Sequence, residues 1–148
     1  MILIDTSAWV EFLRDTGSPV CLEVDRLIGN DIATCDAVRM EVLAGALDDG
    51  HLRSLRGLLA RATTLPTRPA DYETGASLYR SCRQAGGTVR RLIDCLIGAV
   101  VIRDGVPILH ADADFDMLAR HTGLRAHSIG PDRSPRRGSH DGRLQPRP

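Results

Sequence analysis

Lysine is missing from this chain: all nineteen of its basic residues are arginine. Its permanently cationic side chains are therefore all planar guanidinium forks, a shape matched to carboxylates and phosphates. Aromatic residues are also scarce, at 3% of the sequence, which argues against stacked-base platforms as the main binding device. Net charge is zero, which weakens the case for binding nucleic acid by bulk charge, although local basic stripes can still meet phosphates. No apolar run approaches the ~20 residues of a membrane helix; the longest is Leu96 to Ile102. Cys21, Cys35, Cys82 and Cys95 show no CxxC spacing and sit in apolar-periodic segments, so buried free thiols are expected rather than zinc ligands or a disulfide framework. The start of the chain carries no basic, leader-like stretch, and a cytoplasmic protein without membrane association is the expectation.

What is present suits one domain. The 148 residues are 43% hydrophobic and 26% charged, enough to bury a core without metal or disulfide staples. Short apolar runs alternate with stretches of helical period, the pattern of a parallel sheet covered on both faces. Five runs read as strands: Ile2 to Ile4, Ile32 to Cys35, Thr63 to Leu65, Val106 to His110 and Ala126 to Ile129. Pro19 suits a helix start, Asp36 a cap for the helix carrying Glu41, and Pro69 to Ala85 a further helix. Trp9, Phe12 and Leu13 share one edge of the first helix, read as core in preference to a partner surface. The folded domain is expected over residues 1–130. Residues 131–148 hold five arginines against two acids in a Pro/Arg/Gly-rich stretch without periodicity, expected to be a disordered tail.

Four acids stand beside or within apolar segments: Asp5, Glu41, Asp94 and Asp112. A carboxylate taken from water without a partner costs several kcal/mol, so acids in such settings are paired or metal-bound. Asp5 and Asp112 each follow a strand, and ligands of open parallel sheets bind beyond the carboxyl ends of the strands. If the first and fourth strands are neighbours, the two acids meet there, with Glu41 and Asp94 added from helices. An all-oxygen set suits Mg2+ or Mn2+, one or two ions, and metal-assisted phosphodiester hydrolysis is the matching reaction class. Each acid also has a plain structural reading. Asp5 and Asp94 can cap helices, Glu41 can pair with an arginine, and Asp112, Asp114 and Asp116 can enrich a helix start. In a helix Asp116 follows Asp112 by four residues and shares its face, whereas Asp114 points elsewhere. His110 reads as a packed or solvated strand-end residue in preference to a base. Arg90 and Arg91 read equally as a solvated pair or as a grip on substrate phosphates.

These residues form a familiar ordered set. Ile2-Leu3-Ile4-Asp5-Thr6-Ser7-Ala8-Trp9, Met40-Glu41-Val42-Leu43-Ala44-Gly45, Asp94-Cys95-Leu96-Ile97-Gly98-Ala99 and Leu109-His110-Ala111-Asp112-Ala113-Asp114-Phe115-Asp116 resemble, in order and spacing, the motifs of PIN-domain ribonucleases, specifically VapC-type toxins of type II toxin-antitoxin modules. The resemblance spans roughly residues 1–129 and leaves the tail without a counterpart. It implies a three-layer α/β/α fold around a five-stranded parallel sheet. It further implies a Mg2+- or Mn2+-dependent endoribonuclease that cuts structured RNA, such as transfer or ribosomal RNA, and so inhibits translation. On that reading Asp5, Glu41, Asp94 and Asp112 are the catalytic, metal-binding acids, Asp114 and Asp116 are auxiliary, and Ser7 is a hydroxyl behind them. A homodimer and a neutralising VapB-type antitoxin are implied as partners. A haloacid-dehalogenase-like phosphohydrolase also begins with an apolar strand ending in Asp, but this chain has Ser7 where that family has its second Asp, and lacks its lysine. A catalytically silent PIN-like binding module is the alternative from a different class.

Overall fold

Four of the apolar runs become strands of one parallel sheet in the computed structural model, which describes residues 1–130. The expected tail, 131–148, lies outside the described residues. In chain order the elements are β1 (Ile2–Ile4), α1 (Thr6–Leu13), α2 (Pro19–Leu27), β2 (Ile32–Cys35), α3 (Asp36–Ala44), α4 (Asp49–Leu59), β3 (Thr63–Leu65), α5 (Pro69–Gln84), α6 (Leu92–Asp104), β4 (Ile108–Leu109) and α7 (Ala113–His121). The sheet order is β3-β2-β1-β4. Leu3 lies opposite Ala33 on one side and Ile108 on the other, and Ile4 lies opposite Leu109. The chain thus moves outward from β1 in one direction to β2 and β3, then returns to place β4 on its other side. That reversal point lies between β1 and β4, where crevices form in sheets of this kind.

The fifth strand is a correction. Ala126 to Ile129 does not form a strand; Ala126 makes a single parallel bridge to Ile108, held by Ile108 N–H on Arg125 O at 3.0 Å and His127 N–H on Ile108 O at 2.8 Å. Two features limit it: β4 offers only two residues to pair with, and Ala126, Ser128 and Ile129 are exposed, so no buried face rewards a longer ladder. The segment is held instead by His127 Nε2, 2.7 Å from Oε1 of the nearly buried Glu23 on α2.

Local signals account for the helix starts. Ser18 accepts the Cys21 N–H ahead of Pro19, and Asp48 accepts the His51 N–H to open α4. Asp36 departs from expectation: it occupies the first helical position after Cys35, and its carboxylate accepts the Thr67 N–H at 2.8 Å, tying α3 to the chain after β3. Helix α6 is apolar nearly all round and buries Cys95, Ile97, Ala99, Val100 and Val101, so it lies inside the structure, not on its surface. It comes close to α5 at Gly75, where a Cβ would stand 3.3 Å from the Leu96 nitrogen. All four cysteines are buried and free, and no described helix is long and apolar enough to cross a membrane.

Trp9 is fully buried, Phe12 packs edge-on against it at 6.2 Å between ring centroids, and Leu13 is 44% exposed. The edge of α1 is therefore core at Trp9 and surface at Leu13. Trp9→Ala should lower the unfolding free energy by about 3–5 kcal/mol in urea titration, while Leu13→Ala should stay within about 0.5 kcal/mol of the parent. Equal effects would place this edge differently.

Candidate metal centre

The pairing of β1 with β4 brings two acids together. Asp5 directly follows β1, and its N–H donates to Leu109 O at 3.0 Å, which fixes it to the end of β4. Its Oδ2 accepts both the Ser7 N–H (2.9 Å) and the Ser7 hydroxyl (2.6 Å), making it the N-cap of α1. Ser7 Oγ in turn accepts the Ala111 N–H at 2.9 Å, so this one hydroxyl ties together the chain beyond both strands. Asp112 caps α7 and accepts the Asp114 N–H at 2.9 Å. Asp94 lies in the first turn of α6 and is 1% exposed. Glu41 projects from α3, where its Oε2 accepts the Thr6 hydroxyl at 2.7 Å.

One carboxylate oxygen from each of Asp94, Asp112 and Asp114 falls within 4.8 Å of the others. Asp5 and Glu41 are not in that group; they lie close enough for the Asp5 charge to bear on Asp94 and that of Glu41 on Asp5. Two arginines stand among these acids. Arg90 reaches Asp112 Oδ1 (2.7 Å) and Asp114 Oδ1 (3.1 Å), while Arg91 Nη2 reaches Glu41 Oε1 (2.5 Å) and Asp94 Oδ1 (3.2 Å). Among the described residues, the buried side-chain atoms without a hydrogen-bond partner are Trp9 Nε1, Thr34 Oγ1, Thr67 Oγ1 and two carboxylate oxygens, Asp5 Oδ1 and Asp94 Oδ2. Buried polar atoms are rarely left unpaired, so two orphaned carboxylate oxygens among neighbouring acids fit a missing cation. The donors are all oxygen and mostly carboxylate, which suits a hard divalent ion.

The protonation equilibria reflect this crowding. Burial pushes the Asp94 carboxyl up to about 7; Arg91 pulls it down, while Asp5 and Asp112 add to the rise. Burial likewise raises Asp5 above the usual carboxylate range, opposed by its bonds to Ser7 and reinforced by Glu41. Capping and convergence turn out to be compatible. A cap uses one carboxylate oxygen, so Asp5 can serve Ser7 through Oδ2 and still present Oδ1.

The structure reverses the expected order of Asp114 and Asp116. Asp114 is buried in the cluster, whereas the Asp116 side chain is 66% exposed and 3.6 Å from His110 Nε2. The reasoning from helical spacing fails because Asp112 is a cap with extended backbone (φ −120°, ψ 130°), not a helical residue, so its neighbour at four positions does not share its face. His110 packs against Phe115 at 5.3 Å between ring centroids, as expected. Arg90 and Arg91 are largely exposed but not free: each side chain is bonded to two acids of the cluster. Thr6, given no role in the sequence reading, holds Glu41; the signal lay in its place between Asp5 and Ser7 in the first motif.

Comparison with known proteins now bears on this arrangement. The PIN domain family matches residues 2–121. Ribonuclease VapC11 of Mycobacterium tuberculosis is 49% identical over 133 residues, covering 87% of this chain and 99% of that protein. The chain belongs to the PIN-domain family, among the VapC ribonucleases. Ribonuclease VapC18 of the same organism is a more distant relative, 26% identical over 131 residues, covering 86% of this chain and 94% of that one. Among solved structures, VapBC-1 from nontypeable Haemophilus influenzae overlays with a TM-score of 0.68 at 14% identity, covering 87% of this chain and 98% of that one. This likeness is in the fold. Membership of the PIN-domain family sets aside the haloacid-dehalogenase reading.

For this PIN domain the raised Asp94 value sets a pH dependence. Below about pH 4 both folded and unfolded chains carry the proton; between 3.8 and about 7 only the folded chain keeps it. Stability in EDTA should therefore fall as pH rises through that window, and level off above it. In Asp94→Asn the slope should shrink, leaving the part due to Asp5. Urea midpoints across the range read this directly; superimposable profiles for parent and variant would contradict it.

Proposed function

We propose that this PIN-domain chain is a Mg2+- or Mn2+-dependent endoribonuclease acting as the toxin of a toxin-antitoxin module. The observation that carries the reading is the buried convergence of Asp94, Asp112 and Asp114 beside the unpartnered oxygens of Asp5 and Asp94. Asp5, Glu41, Asp94 and Asp112 are the metal-holding acids, and Asp114 belongs with them; Asp116 is left out. When bound, a divalent ion at such a site lowers the pKa of a water and neutralises charge on phosphoryl oxygens. The chain's own part is orientation. Ser7 fixes Asp5 so that Oδ1 stays open, Thr6 aims Glu41, and the α7 cap sets Asp112. No side-chain nucleophile is required. Arg90 and Arg91 are the substrate-phosphate residues.

RNA as the substrate is supported by the ribonuclease relatives, and structured RNA such as transfer or ribosomal RNA is the class proposed, with inhibition of translation as the outcome. A VapB-type antitoxin is supported by the VapBC and FitAB assemblies among the solved structures of this fold, and the acidic site would receive a basic side chain from it. A homodimer is supported by exposed apolar side chains that a second copy would cover. Met40 and Tyr72 line a groove of about 560 Å³ with Ile93, and Leu92 adjoins it. A cytoplasmic location follows from a translation-directed activity.

Total transfer RNA and a set of defined RNAs, with matched single-stranded DNA, should be offered to the antitoxin-free protein in Mg2+, Mn2+ or EDTA. Cleavage of RNA that needs metal is expected. Asp94→Asn should lower it by more than about 100-fold, beyond the 10- to 100-fold typical of an outer-shell partner. A folded protein that cuts none of these would shift the assignment to a silent binding module, and cutting of DNA alone would replace the substrate.

A further inference from the structure

The hydrogen bonds at the acids divide their oxygens into two classes. Both oxygens of Asp114 are engaged by Arg90, Oδ2 by its N–H at 3.0 Å and Oδ1 by its Nε at 3.1 Å. Asp112 Oδ1 is shared between Arg90 Nη2 and the Asp114 N–H. Glu41 is engaged on both sides, by Arg91 and by Thr6, and Asp94 Oδ1 is taken by Arg91. Asp5 Oδ1 and Asp94 Oδ2 are buried and open, and Asp112 Oδ2 makes no hydrogen bond among the described residues. A hard divalent ion binds oxygens at roughly 2.0–2.1 Å in near-octahedral geometry. A carboxylate oxygen has lone pairs for two partners, but the guanidinium on Asp114 Oδ1 or Glu41 Oε1 sets a second positive charge beside any ion bound there, and their mutual repulsion weakens its binding.

We propose that Arg90 and Arg91 are exchange residues: they hold these carboxylates until a divalent cation takes the oxygens, and their released guanidinium forks then grip RNA phosphates. The inference rests on the metal-dependent ribonuclease reading and gives its order of events. The ion enters at the open oxygens of Asp5, Asp94 and Asp112; Asp114 and Glu41 join as the arginines leave.

The environments of the two side chains suit exchange. Arg90 and Arg91 are 67% and 50% exposed, and their side chains bond only to acids of this site. Arg103 provides the contrast. Its side chain is 21% exposed and is anchored by Asp71, Asp104 and the Pro66 carbonyl, a fixed clamp between α6 and the start of α5. The Arg90 backbone N–H on Asp114 can persist while its side chain swings, so the loop before α6 need not unfold. Arginine also suits both states, because one planar fork fits a carboxylate and a phosphate alike.

The test is Mn2+ binding by isothermal calorimetry to the full chain and to Arg90→Ala/Arg91→Ala, with circular dichroism confirming the fold. Each single variant serves as a fallback should the double variant unfold. Exchange predicts tighter Mn2+ binding without the arginines, by about tenfold, within the 5- to 150-fold range usual for coupled sites. It also predicts that Mn2+ strengthens the parent's hold on a short phosphorothioate RNA and fails to do so in the variant. Equal or weaker Mn2+ binding by the variant would overturn the exchange and leave the arginines as plain supports. Absence of Mn2+ binding in every protein would overturn the metal reading beneath it.

Discussion

The gathering of carboxylates beyond the ends of β1 and β4 is the constraint around which this molecule is built. Asp5, Asp94 and Asp114 are each no more than 3% exposed, yet Asp94 and Asp114 converge with Asp112, the Asp5 charge bears on Asp94, and Arg91 bridges Asp94 to Glu41. Like charges in a poorly solvated setting oppose folding unless hydrogen bonds, protons or cations offset them. All three devices are present. Ser7 and the backbone of α1 bind Asp5, burial favours the protonated form of Asp94, and two arginines span the rest. The parallel β1–β4 register, the α1 and α7 caps and the buried placement of α6 all serve to hold this group in place.

Much of this arrangement was legible from local signals. Strands β1 and β2 matched their apolar runs, because parallel strands buried on both faces read as continuous hydrophobic segments; β3 also formed as expected, although Thr63 and Thr64 are exposed and only Leu65 is buried. The two acids that follow strands could be placed before any coordinates, since strand ends are where this sheet class positions ligands. The fifth run shows where local pattern stops. Its composition resembles a strand, but strand formation also needs a partner of adequate length and a buried face, and both are tertiary properties.

The acids of α7 and the two arginines were harder for a different reason. Which of Asp114 and Asp116 turns inward depends on whether Asp112 is helical or a cap, a difference of one residue in a boundary that periodicity does not resolve. The contacts of Arg90 with Asp114 and of Arg91 with Glu41 span 24 and 50 residues and leave no trace in spacing. A chain whose basic residues are all arginine does hint at fork-shaped recognition, but composition alone does not say which arginines face the acids. Family membership then joins the two scales. The ordered motifs identify a PIN domain, and the geometry shows how its carboxylates are held and which of their oxygens stay open.

The central claim is that these carboxylates form one divalent-cation site. Anomalous diffraction from crystals of the protein grown with Mn2+ tests it most directly. The account predicts a peak at roughly 2.0–2.2 Å from oxygens of Asp94 and at least one of Asp5, Asp112 and Asp114, the range expected for a hard ion on carboxylates. A peak elsewhere, or an ordered site without one at saturating Mn2+, would contradict it.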